Sequence, residues 1–137
     1  MGRAFVDTNV IVYANDVADE PRHSIAKDLT STLALDENGV ISTQVLQEYA
    51  SCALNKLRQP PAEAAEQIAF YARSMKVVQV TPELIGRAIT LHGEHKINYW
   101  DACIIAAAES AGCSELYSED LNAGQSYSGV RVVNPFA

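Results

Sequence analysis

Short apolar runs alternate with longer segments in which apolar residues recur every three or four positions, and this alternation continues along the chain. Ala4 to Val6 reads as a buried strand, and the residues after Asn9 as an apolar helical segment. Asp16 to Arg22, with Pro21, is a polar break before a helix from about His23 to Leu35. Asp36-Glu37-Asn38-Gly39 forms a loop and Val40-Ile41-Ser42 a second strand. Thr43 is placed to cap a helix that reaches about Arg58 and stops at Pro60-Pro61. Pro61 then opens another helix, with Ala65, Ile68, Ala69 and Ala72 along one face. Val77 to Val80 is a third strand, and Thr81-Pro82-Glu83 starts a helix that frays between Gly93 and Lys96. Asn98 caps a helix from Tyr99 to Ala111, apolar nearly all round and ended by Gly112, so it should be deeply buried. Glu115-Leu116-Tyr117 makes a fourth strand and Val130 to Val133 a fifth.

Strands that are apolar throughout, alternating with helices, imply an α/β fold: a three-layer α/β/α sandwich around a parallel sheet of four to five strands. With 137 residues, no repeats, no low-complexity stretch and no linker, residues 1–137 are expected to form one domain. The longest unbroken apolar run, Ala102 to Ala108, is too short to span a bilayer, so no membrane partner is expected. Met1-Gly2-Arg3 leads straight into the first strand, which argues against a signal peptide, and Val6 stands where a myristoylation site needs Ser or Thr. The scattered Cys52, Cys103 and Cys113 fit small buried hydrophobes in a reducing cytoplasm.

The net charge of −7 alters this picture, because a nucleic-acid binder is usually basic. That objection weakens if several acids share one site and hold divalent cations there. The positions of the acids favour such a site. Asp7 ends the first strand and Asp120 follows the fourth, both at carboxyl ends, where open parallel sheets bind ligands. Glu48 lies near the start of the helix after the second strand, and Asp101 in the first turn of the apolar helix. Each acid has a plainer explanation. Asp7 or Thr8 can cap a helix, Asp101 can be a first-turn acid favoured by the helix dipole, Glu48 can be solvated, and Asp120 competes with Glu119. Taken together these explanations weaken, since Asp7 and Asp101 abut the most apolar segments, where an acid is seldom placed unless paired or metal-bound.

Four pieces carry a resemblance: Phe5-Val6-Asp7-Thr8-Asn9, Ser42 to Glu48, Trp100-Asp101-Ala102, and Leu116 to Leu121. In this order and at these spacings the chain resembles the PIN-domain nucleases, and in particular the VapC-type ribonuclease toxins of toxin–antitoxin pairs. The resemblance implies that Asp7, Glu48, Asp101 and Asp120 are the catalytic, metal-binding acids. It implies that Ser118 supports the site, although the family often has Thr there, and that Asn9 orients Asp7. A cognate antitoxin and a homodimer are expected from the resemblance alone, with RNA as substrate and Mg²⁺, or Mn²⁺, as cofactor.

The residue chemistry agrees with that expectation. Mg²⁺ prefers oxygen ligands, keeps several waters and takes only a few carboxylates from a protein. Metal-assisted hydrolysis needs no protein nucleophile, and no Ser-His or Cys-His pair is evident. His23, His92 and His95 read as solvated, and Arg22, Lys56, Arg58 and Lys96 are candidate phosphate contacts for which a solvated face is the simpler reading. Two other classes compete. A haloacid-dehalogenase-type phosphatase also begins with a strand-end Asp, but needs a second Asp where this chain has Asn9. A non-catalytic binding module on the same fold has no need to keep four like charges together.

Overall fold

The computed structural model describes residues 2–137; Met1, part of the reading against a signal peptide, lies outside the described residues. Six strands, β1 (Arg3–Val6), β2 (Gly39–Ser42), β3 (Lys76–Val78), β4 (Cys113–Tyr117), β5 (Ser126–Tyr127) and β6 (Val130–Val133), form one sheet in the order β3-β2-β1-β4-β6-β5. All neighbours are parallel except β5, which pairs antiparallel with β6. The sheet thus exceeds the expected four to five strands by this added edge strand. Two residues carry no periodicity, so the pattern of apolar positions holds no trace of β5.

Six helices connect the strands: α1 (Thr8–Ala14), α2 (Arg22–Leu35), α3 (Thr43–Asn55), α4 (Pro61–Ser74), α5 (Pro82–His95) and α6 (Tyr99–Ser110). Successive side chains of a strand point to opposite faces. In β2 all four residues are buried, as are Ala4, Phe5 and Val6 of β1, so the centre of the sheet is covered on both sides. α1 packs against α2 and α3, α3 against α4, and α5 against α6. The run Ala102 to Ala108 is buried without interruption, which is why α6 has no polar stripe. Among the described residues, no helix is long and apolar enough to cross a membrane.

Local signals largely set the boundaries. Thr81 accepts from the Leu84 amide and Asn98 from the Trp100 amide, capping α5 and α6. Gly112, with φ 72°, makes the left-handed turn out of α6. At α3 the cap falls one residue earlier than expected: Ser42 accepts from the Val45 amide, while the Thr43 hydroxyl accepts from the Val80 amide beyond β3. That bond coincides with β3 ending at Val78 and not at Val80.

From β1 the chain moves outward through β2 to β3, then crosses to the other side of β1 to lay down β4. The carboxyl ends of β1 and β4 therefore flank the point where the strand order reverses, which is where an open α/β sheet leaves a crevice.

Candidate active site

Asp7 leaves β1 with its amide donating to Tyr117 O of β4 (3.0 Å), so the two strand ends are bonded together as the chain turns into α1. Its carboxylate faces inward and is only 6% exposed. One oxygen accepts from the Thr8 amide (2.7 Å) and the other from the Ser118 hydroxyl (2.8 Å). Ser118, fully buried, spends its one proton on Asp7 and accepts from the Asp120 amide (3.1 Å) and the Asn9 amide group (3.3 Å). Every bonding position of that hydroxyl is used.

Asn9 lies one bond further out than the resemblance implied. Its Nδ2 donates to Ser118 and to an Asp120 oxygen (3.1 Å), and its Oδ1 accepts from the Glu119 amide (3.2 Å). Asn9 thus bonds the loop after β4, and its path to Asp7 runs through Ser118. Across the cleft the Thr8 hydroxyl donates to Glu48 (2.6 Å). This contact ties the first turn of α1 to α3, and two residues 40 apart in sequence give no sign of it.

Asp7, Glu48, Asp101 and Asp120 all line one open cleft of about 400 Å³, so the structure brings the four expected acids together. The electrostatics are one-sided. The Asp7 carboxyl is raised from 3.8 to about 6, first by burial and in smaller part by the charges of Asp120 and Glu48, against the lowering effect of its bonds to Ser118 and Thr8. Asp101 is also raised, first by burial and then by Asp120 and Glu48, and its carboxylate accepts no hydrogen bond among the described residues. Among the described residues, no cation figures among the groups that shift either acid. Lys56 does line the cleft.

A set of carboxylate oxygens beside one another suits a hard divalent cation. Among the described residues, no group of three or more carboxylate, imidazole or thiol side chains is placed to hold a metal ion. Mg²⁺ keeps most of its water and takes one or two carboxylates at a time, so the donor set fits it without a cage.

The other sequence candidates lie elsewhere. Arg22 pairs with Glu119 (3.1 Å) and lies over the Tyr13 ring, so it is not a free phosphate contact, while its side chain stays 42% exposed to solvent. Glu119, which also accepts from the Tyr13 hydroxyl (3.3 Å), faces away from the acids beside which it sits in sequence. His23 and His92 bond backbone carbonyls, and His95 stands edge-on to Tyr127. Cys103 and Cys113 are buried as expected, whereas Cys52 is half-buried and lines the cleft. Sequence reasoning gave no role to Trp100, although it adjoins Asp101 and is the chain's single tryptophan.

A family model described as the PIN domain matches residues 4–125. No curated protein matches the chain by sequence. Among solved structures, the chain is similar to the VapC20 toxin of Mycobacterium tuberculosis, described as cleaving the sarcin–ricin loop: 24% identity, TM-score 0.64, covering 85% of this chain and 89% of that one. It is similar to a chain of a toxin–antitoxin complex from Klebsiella pneumoniae, with 20% identity, TM-score 0.70 and coverage of 96% and 97%. It is also similar to a chain of the DNA-bound VapBC complex from Salmonella typhimurium, with 16% identity, TM-score 0.70 and the same coverage.

Proposed function

This chain belongs to the PIN-domain family, and on that premise we propose that it is a divalent-cation-dependent endoribonuclease, the toxin of a VapBC-type toxin–antitoxin pair. The observation that carries this reading is the meeting of Asp7, Glu48, Asp101 and Asp120 in one cleft at the switch point of the sheet. Acids left without a cation of the chain are a costly arrangement that a bound metal relieves. The 137 residues act as a single domain, which accords with one sheet and one continuous apolar core.

The residues divide the work by how firmly each is held. Ser118 and the Thr8 amide fix both oxygens of Asp7 before any substrate arrives. Thr8 holds Glu48, and Asn9 holds Asp120 against the loop after β4. Asp101, held only through its helix, is the acid free to adjust as metal and phosphate enter. Asp7, Glu48, Asp101 and Asp120 are the residues that would hold a Mg²⁺ or Mn²⁺ ion, and such an ion would supply an activated water near neutral pH and counter-charge for a phosphoryl group. The chain supplies position and a partly dry wall around that charge.

RNA is the substrate under this reading. A cognate antitoxin is its protein partner, in keeping with the toxin–antitoxin complexes of its structural neighbours, and under the same reading it pairs with a second copy of itself and works in the cytoplasm. The deciding assay measures RNA cleavage with EDTA, Mg²⁺ and Mn²⁺, beside phosphate release from a monoester. Metal-dependent RNA cleavage without monoester turnover is expected. Phosphate release alone would favour the phosphatase, and neither activity would favour a binding module. A small reading frame for a DNA-binding protein immediately upstream would support the toxin assignment.

A further inference from the structure

Two aromatic side chains line the acid cleft, and their circumstances differ. Tyr13 is fully engaged: Phe136 meets its ring edge-on at 5.1 Å, Arg22 lies over its face at 5.5 Å, and its hydroxyl bonds Glu119. Trp100 is 61% exposed. A large exposed apolar side chain is not by itself informative, because half of any protein surface is apolar. The support beneath this one is informative. The Trp100 amide donates to Asn98 Oδ1 (2.8 Å), and its carbonyl accepts from the nearly buried Gln44 (3.4 Å), so α3 pins the backbone that carries the ring. Tyr99 backs the indole edge-on at 5.1 Å, and the next residue is Asp101. An indole whose backbone is anchored on both sides at the rim of the cleft, and which stays exposed one residue from Asp101, is presented to a ligand and not folded away.

The charge of the chain narrows what that ligand is. At −7 overall, with Lys56 the single lysine or arginine lining the cleft, the protein has little long-range attraction for a polyanion. Stacking on an aromatic face grips a nucleotide without needing positive charge, and it tolerates any base because every base has a π-face. We propose that Trp100 is a base-stacking subsite that holds an unpaired nucleobase of RNA next to the phosphate engaged by the acids. The subsite rests on the ribonuclease reading for its neighbour, the phosphate, but its own claim is binding.

Trp100 is the only tryptophan, so fluorescence excited beyond the absorption band of tyrosine reports on this position alone. The experiment titrates a short single-stranded oligoribonucleotide into the wild-type protein in Ca²⁺, which screens the acids, with the RNA checked to be intact afterwards. A second oligonucleotide of the same length, with abasic riboses, carries the same phosphates and no bases. Quenching of Trp100 by the first, with binding of the second weaker by about 5- to 100-fold, is the expected result. In Mg²⁺, Trp100→Ala should raise KM for RNA by a similar factor and leave kcat within a few-fold, and Trp100→Phe should restore most of the loss. RNA that binds by anisotropy without altering the fluorescence would overturn the proposal, as would equal affinity for the abasic strand. Emission that changes with protein concentration but not with RNA would also overturn it, assigning the ring to contact between copies. The two oligonucleotides need no variant, so a misfolded Trp100→Ala leaves the test standing. Quenching without hydrolysis in Mg²⁺ would remove the nuclease reading and keep the subsite; hydrolysis without quenching would do the reverse.

Discussion

Two regions of this molecule treat their carboxylates in opposite ways, one holding a single acid and the other several. Where α5, α6 and the β5–β6 turn meet, Glu109 receives both arms of Arg87 at 2.7 and 2.8 Å and a bond from the Ser128 hydroxyl. Its carboxyl is held below the ordinary value, first by the Arg87 hydrogen bond. In the cleft, Asp7 and Asp101 are held above it by burial and by other acids. One region carries its counter-charge in the sequence, and the other leaves it to be supplied. An acid whose counter-charge is built in serves the fold, and acids gathered without an offsetting cation among the described residues mark a place for a ligand that brings one.

The largest separation should appear in catalysis. Asp7→Asn and Asp120→Asn should each lower Mg²⁺-dependent RNA cleavage by about 10³-fold or more, the scale of losing a direct stabiliser of transition-state charge. Glu109→Gln and Glu119→Gln should stay within a few-fold, because both side chains answer to arginines outside the cleft. Single-turnover rates on one RNA would compare all four. A Glu119→Gln loss as deep as that of Asp120→Asn would break the division between the regions at its closest point, two residues adjacent in sequence.

The pH dependence of stability should differ in sign. Asp7 has a folded value near 6 against 3.8 for an ordinary carboxyl, so the folded protein binds its proton more tightly. Its contribution is therefore fully present below 3.8 and is lost as pH rises through about 6, a change of about 3 kcal/mol in the absence of metal. Glu109, held low, contributes the other way: its stabilisation is present above the ordinary glutamate range and is lost as pH falls. Urea melts in EDTA from pH 4 to 8 would separate them. Asp7→Asn should flatten the decline between about pH 4 and 7, and Glu109→Gln should leave that decline in place while weakening the response to acid. A wild-type curve with no decline above pH 4 would remove the contrast.

The sequence made one of these regions easier to read than the other. The cleft was visible because each acid sits at a fixed offset from an apolar run: Asp7 after β1, Asp120 after β4, Asp101 past the cap Asn98. Such offsets are local, and local pattern reports strand ends and helix starts well. What joins the acids is not local. Thr8 and Glu48 are 40 residues apart, Asn9 and Asp120 are 111 apart, and both bonds exist only because the topology lays β4 and α3 beside β1 and α1. For the same reason Arg22 gave no sign of Glu119, and Arg87 none of Glu109. The fold class followed from alternation, but β5 did not, since a two-residue edge strand is fixed by its pairing with β6 and not by its own pattern.

The finest distinction concerns Asp101, where the two kinds of acid nearly coincide. It lies in the first turn of α6, so the helix dipole favours its charge just as it favours any first-turn acid. A purely local role predicts that Asp101→Asn lowers the melting temperature by the same small margin with or without metal. The cleft predicts otherwise. Asp101 is raised by burial and by the charges of Asp120 and Glu48, and no hydrogen bond among the described residues would be lost on substitution. Removing its charge should then relieve more repulsion than it forfeits in dipole stabilisation. In EDTA at pH 8 the variant should melt higher than wild type by about 1–3 °C, the scale of a few tenths of a kcal/mol between partly exposed charges in a domain of this size. Mg²⁺ should invert the order, because a ligand at about 100 times its dissociation constant adds roughly 2.7 kcal/mol to the protein that binds it, and the variant binds it less well. Melts of both proteins in both buffers decide between the two. A variant below wild type by an equal margin in EDTA and Mg²⁺ would make Asp101 a helix cap residue and leave three acids in the cleft.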